Sequence, residues 1–230
     1  MVNAIVICVF HSEMYLKLFN ILLRTILKYS PGTSVIVYTN SLFMEKIRGE
    51  FVDDLEYVLF EINDTYDCID KACKARLDIF SFSCVDRYEK FLYLDTDVVV
   101  KGNVDIIFEI CEKDILYACS DGGIFCESSG QGYCLMNEEQ QSRFYGVNGF
   151  SSGVLLFNNC VVIRDLFASI KADIIARPNG GICYDQPYIV YNAVVNDLYD
   201  NMLLAKYVAH RELDSTTPYI VYHFPEQTGE

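Results

Sequence analysis

The apolar positions of the chain alternate between two spacings. Val2–Val9 is an apolar run with β-branched residues, the pattern of a strand covered on both faces. From Ser12 to Tyr29 the apolar positions fall at Tyr15, Leu18, Phe19, Leu22, Leu23, Ile26 and Leu27. That is helical spacing, with Ser12 as the N-cap. Pro31-Gly32 marks a turn before a second strand, Ser34–Thr39. A short helix over Leu42–Arg48, a strand over Tyr57–Glu61 and a helix over Asp67–Ser83 follow. Lys90–Leu94 is the next strand, and Val98–Val100 continues extended. Ile115–Ser120 reads as a strand, whereas Asp121–Gly149 is polar, Gly-containing and without periodicity. A connection of that length in a compact domain commonly carries function. Gly153–Phe157 is a strand, Val161–Ile175 and Tyr184–Val195 are helices, and Tyr219–Phe224 closes as a strand. Strands alternating with helices predict an α/β fold, a mainly parallel, doubly wound sheet flanked by helices, and one domain over residues 1–230.

Composition narrows the function. Hydrophobic residues make up 52% and charged residues 22% of the 230, enough for a sizeable core. A net charge of −14 with no stripe of Lys or Arg argues against nucleic acid as a partner. It leaves room for a phosphorylated small molecule, because a bound divalent cation supplies positive charge locally. The N-terminal apolar run has no basic flank and is interrupted by His11, Ser12 and Glu13, so it reads as a buried strand rather than a signal peptide. No apolar run reaches the roughly 20 residues of a membrane span. The ten cysteines are scattered, with no C-x-x-C, and several sit in apolar stretches. They read as reduced core thiols, and the expected location is the cytoplasm.

The candidate chemistry centres on Phe91-Leu-Tyr-Leu-Asp95-Thr-Asp97-Val-Val-Val100. Four apolar residues lead into two carboxylates at i and i+2, which the period of an extended chain turns to one side. Two oxygen ligands at a strand end suit magnesium or manganese, and in open α/β sheets ligands sit at such strand ends. Acids directly after a buried run are costly unless paired or liganded. Asp95-Thr-Asp97-Val-Val99 also satisfies the D-x-D-x-[TV] pattern of haloacid-dehalogenase-type phosphatases, in which the first Asp is a nucleophile. No convincing later acidic pair accompanies it. A nucleotidyltransferase would want a Gly-rich loop after the first strand, where this chain has His11-Ser-Glu-Met14.

A set of ordered fragments resembles glycosyltransferase family eight, the glycogenin-like and bacterial galactosyltransferase-like enzymes of the GT-A fold. They are Val6–Tyr15, Ala75-Arg76-Leu77, Lys90–Phe108, Ala118–Asp121, Phe150-Ser-Ser-Gly-Val154, Asp185-Gln186 and Tyr222-His223-Phe224. The resemblance implies a retaining, metal-dependent transfer of a hexose from a UDP-sugar to a carbohydrate or glycoconjugate acceptor. Val9, His11, Ser12 and Tyr15 would cradle the uridine, although the family usually has Thr and Asn where His11 and Ser12 stand. Arg76 and Thr96 would face the donor, Asp121 would accept from its sugar hydroxyls, and Ser151 and Gly153 would line the sugar. Ser151 replaces a usual Asn. Asp185 and Gln186 would lie beneath the anomeric centre, where Asp185 also suits the N-cap of the following helix. Asp95, Asp97 and His223 would hold the metal, and an imidazole among the ligands favours manganese over magnesium.

The family commonly follows the His-Phe pair with a Gly and Lys-Pro-Trp. This chain reads Pro225-Glu-Gln-Thr-Gly-Glu230 and contains no Trp, so either the diphosphate clamp comes from elsewhere or, the reading preferred, the chain is a domain cut from a longer protein. Acceptor contacts are expected from Gly122–Gly149 and from the segment beyond His210. A module that binds a nucleotide sugar without catalysis is the alternative from another class.

Overall fold

A strand whose alternate residues are all apolar must be buried on both faces, and the first strand shows how this is done. The computed structural model describes residues 2–125, 130–178, 184–211 and 217–225. In strand β1 (Asn3–Val9), Ala4 and Val6 join one apolar cluster while Ile5, Ile7 and Val9 join the other. Ile5 and Ile7 are fully buried, each contributing about 1.5–3 kcal/mol relative to exposure.

Helix α1 (Glu13–Tyr29) follows, with the hydroxyl of Ser12 accepting from the Met14 N–H at 3.2 Å, as its N-cap position predicts. Strand β2 (Ser34–Thr39), helix α2 (Ser41–Glu50) and strand β3 (Val58–Ile62) come next. The single helix expected over Asp67–Ser83 divides into α3 (Ile69–Lys74) and a tighter 3₁₀ stretch, Ala75–Ser81. The change of winding falls next to Arg76, whose tertiary ion pairs outweigh the local preference for an α-helix.

Strands β4 (Lys90–Leu94) and β5 (Val98–Val100) flank the Asp95-Thr-Asp97 segment. Helix α4 (Asp105–Glu109) leads to strand β6 (Leu116–Gly123). The stretch expected as an aperiodic loop contains a 3₁₀ turn, Tyr133–Leu135, and helix α5 (Glu138–Arg143). The helix arises from a capping box between Asn137 and Gln140, a local device that does not require apolar periodicity. Strand β7 (Asn148–Asn158) is longer than its apolar segment, and helices α6 (Val161–Ala176) and α7 (Gln186–Val195) follow it. Strands β8 (Tyr199–Asp200), β9 (Val208–His210) and β10 (Val221–His223) complete the described chain.

The strands form a seven-stranded sheet in the order β3-β2-β1-β4-β7-β6-β8 and a three-stranded sheet in the order β5-β10-β9. Within the larger sheet β4–β7 and β7–β6 pair antiparallel and the other neighbours pair parallel. The α/β fold with a mixed, mainly parallel sheet is thus as expected. One face is covered by α6, α7 and the 3₁₀ stretch, the other by α1, α2 and α4. No helix among the described residues is long and apolar enough to cross a membrane.

Candidate active site

The small sheet brings distant residues to the end of β4. The Asp95 N–H donates to the Gly153 carbonyl at 2.8 Å, extending the β4–β7 pairing by one step. Strand β10 runs antiparallel to β5 with His223 opposite Val98, and the Phe224 N–H donates to the Asp97 carbonyl at 3.0 Å. One candidate ligand atom from each of Asp95, Asp97 and His223 therefore falls within 4.8 Å of the others. The imidazole of His223 stands beside the two acids.

The chemistry of the three groups fits a divalent cation. His223 is 3% exposed, and its Nε2 lies 3.5 Å from Asp97 Oδ1, a buried oxygen that accepts no hydrogen bond. Burial pushes the Asp95 carboxyl above the usual carboxylate range; Arg76 offsets part of this, and Asp97 adds to it. Two partly buried acids side by side call for a cation between them. Gly153 leaves the room: a Cβ there would stand 2.3 Å from His223 Cε1, 2.5 Å from its Nε2 and 2.9 Å from Asp95 Oδ2. Gly153→Ala is accordingly expected to displace the imidazole and to weaken Mn²⁺ binding by roughly 10-fold or more, measured by titrating the ion against the purified variant. An unchanged affinity would mean that His223 is not a ligand.

Arg76 lies beneath this group at 8% exposure. Its Nη1 is 3.4 Å from Asp95 Oδ1 and donates to the Ser152 carbonyl at 2.5 Å. Its Nε is 2.9 Å from Asp185 Oδ2, close enough for an ion pair but not aligned as a hydrogen bond. Burial opposes the charge on Arg76, yet Asp185 and Asp95 outweigh it and hold the guanidinium protonated. Burial also raises the Asp185 carboxyl to about 6, with Arg76 pulling against it. Asp185 occupies the N-cap position of α7 but makes no side-chain cap bond; its carboxylate faces Arg76 instead. Gln186 Oε1 accepts from both the N–H and the hydroxyl of Ser152, at 3.0 and 3.2 Å.

A cavity of about 160 Å³ opens beside these groups, lined by Tyr15, Arg76, Asp95, Thr96 and Asp97 among the expected residues. Cys8, Phe10, Ala72, Cys73 and Tyr93 complete the lining. Burial raises the Cys73 thiol to about 12 and the Cys8 thiol further, so both are neutral walls rather than nucleophiles. Val9 is buried, with its carbonyl accepting from Thr39 Oγ at 2.7 Å. His11 and Ser12 form the turn after β1 and do not belong to that lining; His11 takes a left-handed φ of 66° that most residues avoid. Ser151 is buried and accepts from the Gly153 N–H at 3.3 Å. Asp121 lies at the far side of His223, reached through His210.

Three contributors were missed by the sequence pattern. Tyr93 reads as one more core residue of β4, yet its hydroxyl donates to Asp95 Oδ1 at 2.5 Å and its ring lies 4.7 Å from the Arg76 guanidinium carbon. Gln131, fully buried, donates to Asp121 Oδ2 at 3.4 Å and accepts from the Phe150 N–H at 2.9 Å. His210 is the third. The proposed acceptor segments are described only in part, since residues 126–129, 212–216 and 226–230 lie outside the described residues.

Comparison with known proteins bears on the fold and the family. Among solved structures, the galactosyltransferase LgtC, in complex with donor and acceptor sugar analogues, matches 97% of this chain and 87% of its own at 15% identity, TM-score 0.66. The bifunctional glycosyltransferase WbbM matches at 15% identity and TM-score 0.66 over 98% of this chain and 46% of its own. GlyE of Streptococcus pneumoniae TIGR4, a glycosyltransferase in its apo form, matches at 16% and 0.65, over 99% and 55%. At these identities the likeness establishes the GT-A-like fold. No curated protein matches by sequence. The model of glycosyl transferase family 8 matches residues 2–162, a span that includes Arg76, Asp95, Asp97, Asp121 and Gly153, and the chain belongs to that family.

Proposed function

We propose that this chain is a retaining, manganese-dependent glycosyltransferase that moves a hexose from a UDP-sugar to a carbohydrate or glycoconjugate acceptor. The observation that carries the proposal is the meeting of Asp95, Asp97 and His223 at the end of β4, beside a cavity walled by Tyr15 and Arg76. The phosphatase reading of Asp95-Thr-Asp97 has no place in a family 8 chain. Asp95, Asp97 and His223 would hold the ion, which when bound would grip the donor diphosphate and neutralise charge developing on it as it leaves.

The protein's own groups supply position. Tyr15 offers a flat face to the base, and Arg76 fixes Asp95 and Asp185 against each other beneath the sugar. Gln186 Oε1 already carries two hydrogen bonds from Ser152, which makes it a poor nucleophile and leaves its amide N–H groups to hold oxygens of the donor sugar. A front-face substitution follows, with the departing diphosphate oxygen taking the acceptor proton and most of the rate coming from positioning.

Hydrolysis of UDP-, GDP- and TDP-hexoses, each with and without Mn²⁺, tests this directly. UDP-sugar turnover that requires the ion is expected. Turnover indifferent to Mn²⁺ would overturn the metal role, and tight UDP-sugar binding without any turnover would favour a binding module.

A further inference from the structure

His210 has no part in the proposed reaction, yet it stands between two residues that do. Strands β9 and β10 pair parallel with His210 opposite His223, and the imidazole Nδ1 atoms of the two residues are 3.0 Å apart. On its other side His210 Nε2 is 3.2 Å from Asp121 Oδ1. The His210 side chain is about one-tenth exposed, so water does not satisfy these atoms in its place.

The directions of the bonds follow from valence. A carboxylate only accepts, so His210 Nε2 carries a proton and donates to Asp121. A neutral imidazole then has a bare Nδ1, which accepts from a proton on His223 Nδ1. His223 is left with its lone pair on Nε2, the atom facing Asp97. Asp121 suits the end of such a chain. Although burial opposes its charge, His210, Arg211 and His223 hold its carboxyl below the usual range. Arg211 Nη1 lies 3.6 Å from Oδ1, and Gln131 Nε2 steadies Oδ2.

We propose that His210 is a positioning residue, linking Asp121 to His223 in a one-way hydrogen-bond chain that fixes the His223 tautomer with Nε2 free to bind a cation. The inference rests on the reading of Asp95, Asp97 and His223 as a cation site. A carboxylate behind a ligating imidazole raises its basicity and stops its rotation, effects worth about 10–100-fold in affinity when lost. Here the carboxylate acts through an intervening imidazole, so the residue expected to meet the sugar also orients a metal ligand.

The chain has three histidines, so nitrogen NMR of the full protein resolves each ring. With Mg²⁺ added at alkaline pH, His210 is expected as the Nε2–H tautomer and His223 as Nδ1–H; Nε2–H on His223 would overturn the proposal. Mn²⁺ binding followed by electron paramagnetic resonance supplies the second readout. His210→Phe is expected to weaken binding about 10–100-fold, and His210→Asn, whose amide oxygen replaces Nδ1 as acceptor, to recover most of it. Wild-type affinity in His210→Phe would sink the relay while Asp97→Asn still lost the ion. Unchanged Mn²⁺ binding in Asp97→Asn would instead remove the cation site, and the relay with it. Should His210→Phe fail to fold, the wild-type tautomers still decide.

Discussion

Asp97→Asn is expected to lose Mn²⁺ binding by roughly a hundredfold or more, and UDP-sugar turnover by on the order of 10²–10³-fold. The substitution changes a charge and almost no volume. Asp97 Oδ1 is a buried oxygen without a hydrogen bond, so Asn breaks no internal bond there. Repulsion from Asp97 is one of the causes that raise the Asp95 carboxyl. The metal-free variant should therefore melt no lower than the wild type, because the substitution removes that repulsion. Loss of function with no loss of stability is the signature of a ligand whose geometry opposes the fold in the absence of its cation. A variant that melts well below wild type, or that turns over donor normally, would refute this account. Melting curves in chelator and Mn²⁺ titrations together provide the check.

What could be read from the sequence had short range or strong periodicity. The β1 run, the α1 stripe with its Ser12 cap, and the apolar residues of β4 feeding Asp95 all obey local rules, and their boundaries came within a residue or two. His223 could be placed only through the family resemblance, because nothing local separates it from any strand histidine. His210 escaped altogether. Its role depends on the pairing of two three-residue strands, too short to show a period. Tyr93 was hidden by the hydrophobic pattern that made β4 legible, since a tyrosine in an apolar run reads as core until the partner of its hydroxyl is known. Asp185 illustrates the opposite case. Its position suggests a helix cap, and the buried Arg76 takes the carboxylate instead.

Arg76→Leu should have the largest effect on stability. The guanidinium is buried between Asp95 and Asp185, and Asp185 is only 2% exposed. Leucine fills part of the space but leaves the buried Asp185 carboxylate, and the partly buried Asp95 near it, without a counter-charge, a change that costs about 3–5 kcal/mol. For a domain of this size that corresponds to a fall in Tm of roughly 6–20 °C. The pH dependence separates this from lost packing. Even in the wild type, Asp185 titrates at about 6 when folded against 3.8 as an ordinary carboxyl. The folded state therefore holds a proton that the unfolded state releases, and stability falls as pH rises between about 4 and 6. Without Arg76 the folded pKa of Asp185 moves higher still, so the falling limb extends toward neutrality. The deficit of the variant, measured in chelator, should be small near pH 5 and large at pH 8. A deficit equal at both pH values would mean that Arg76 stabilises by shape rather than charge. Arg76→Lys should restore only part of the loss, because one ammonium cannot reach Asp95, Asp185 and the Ser152 carbonyl together.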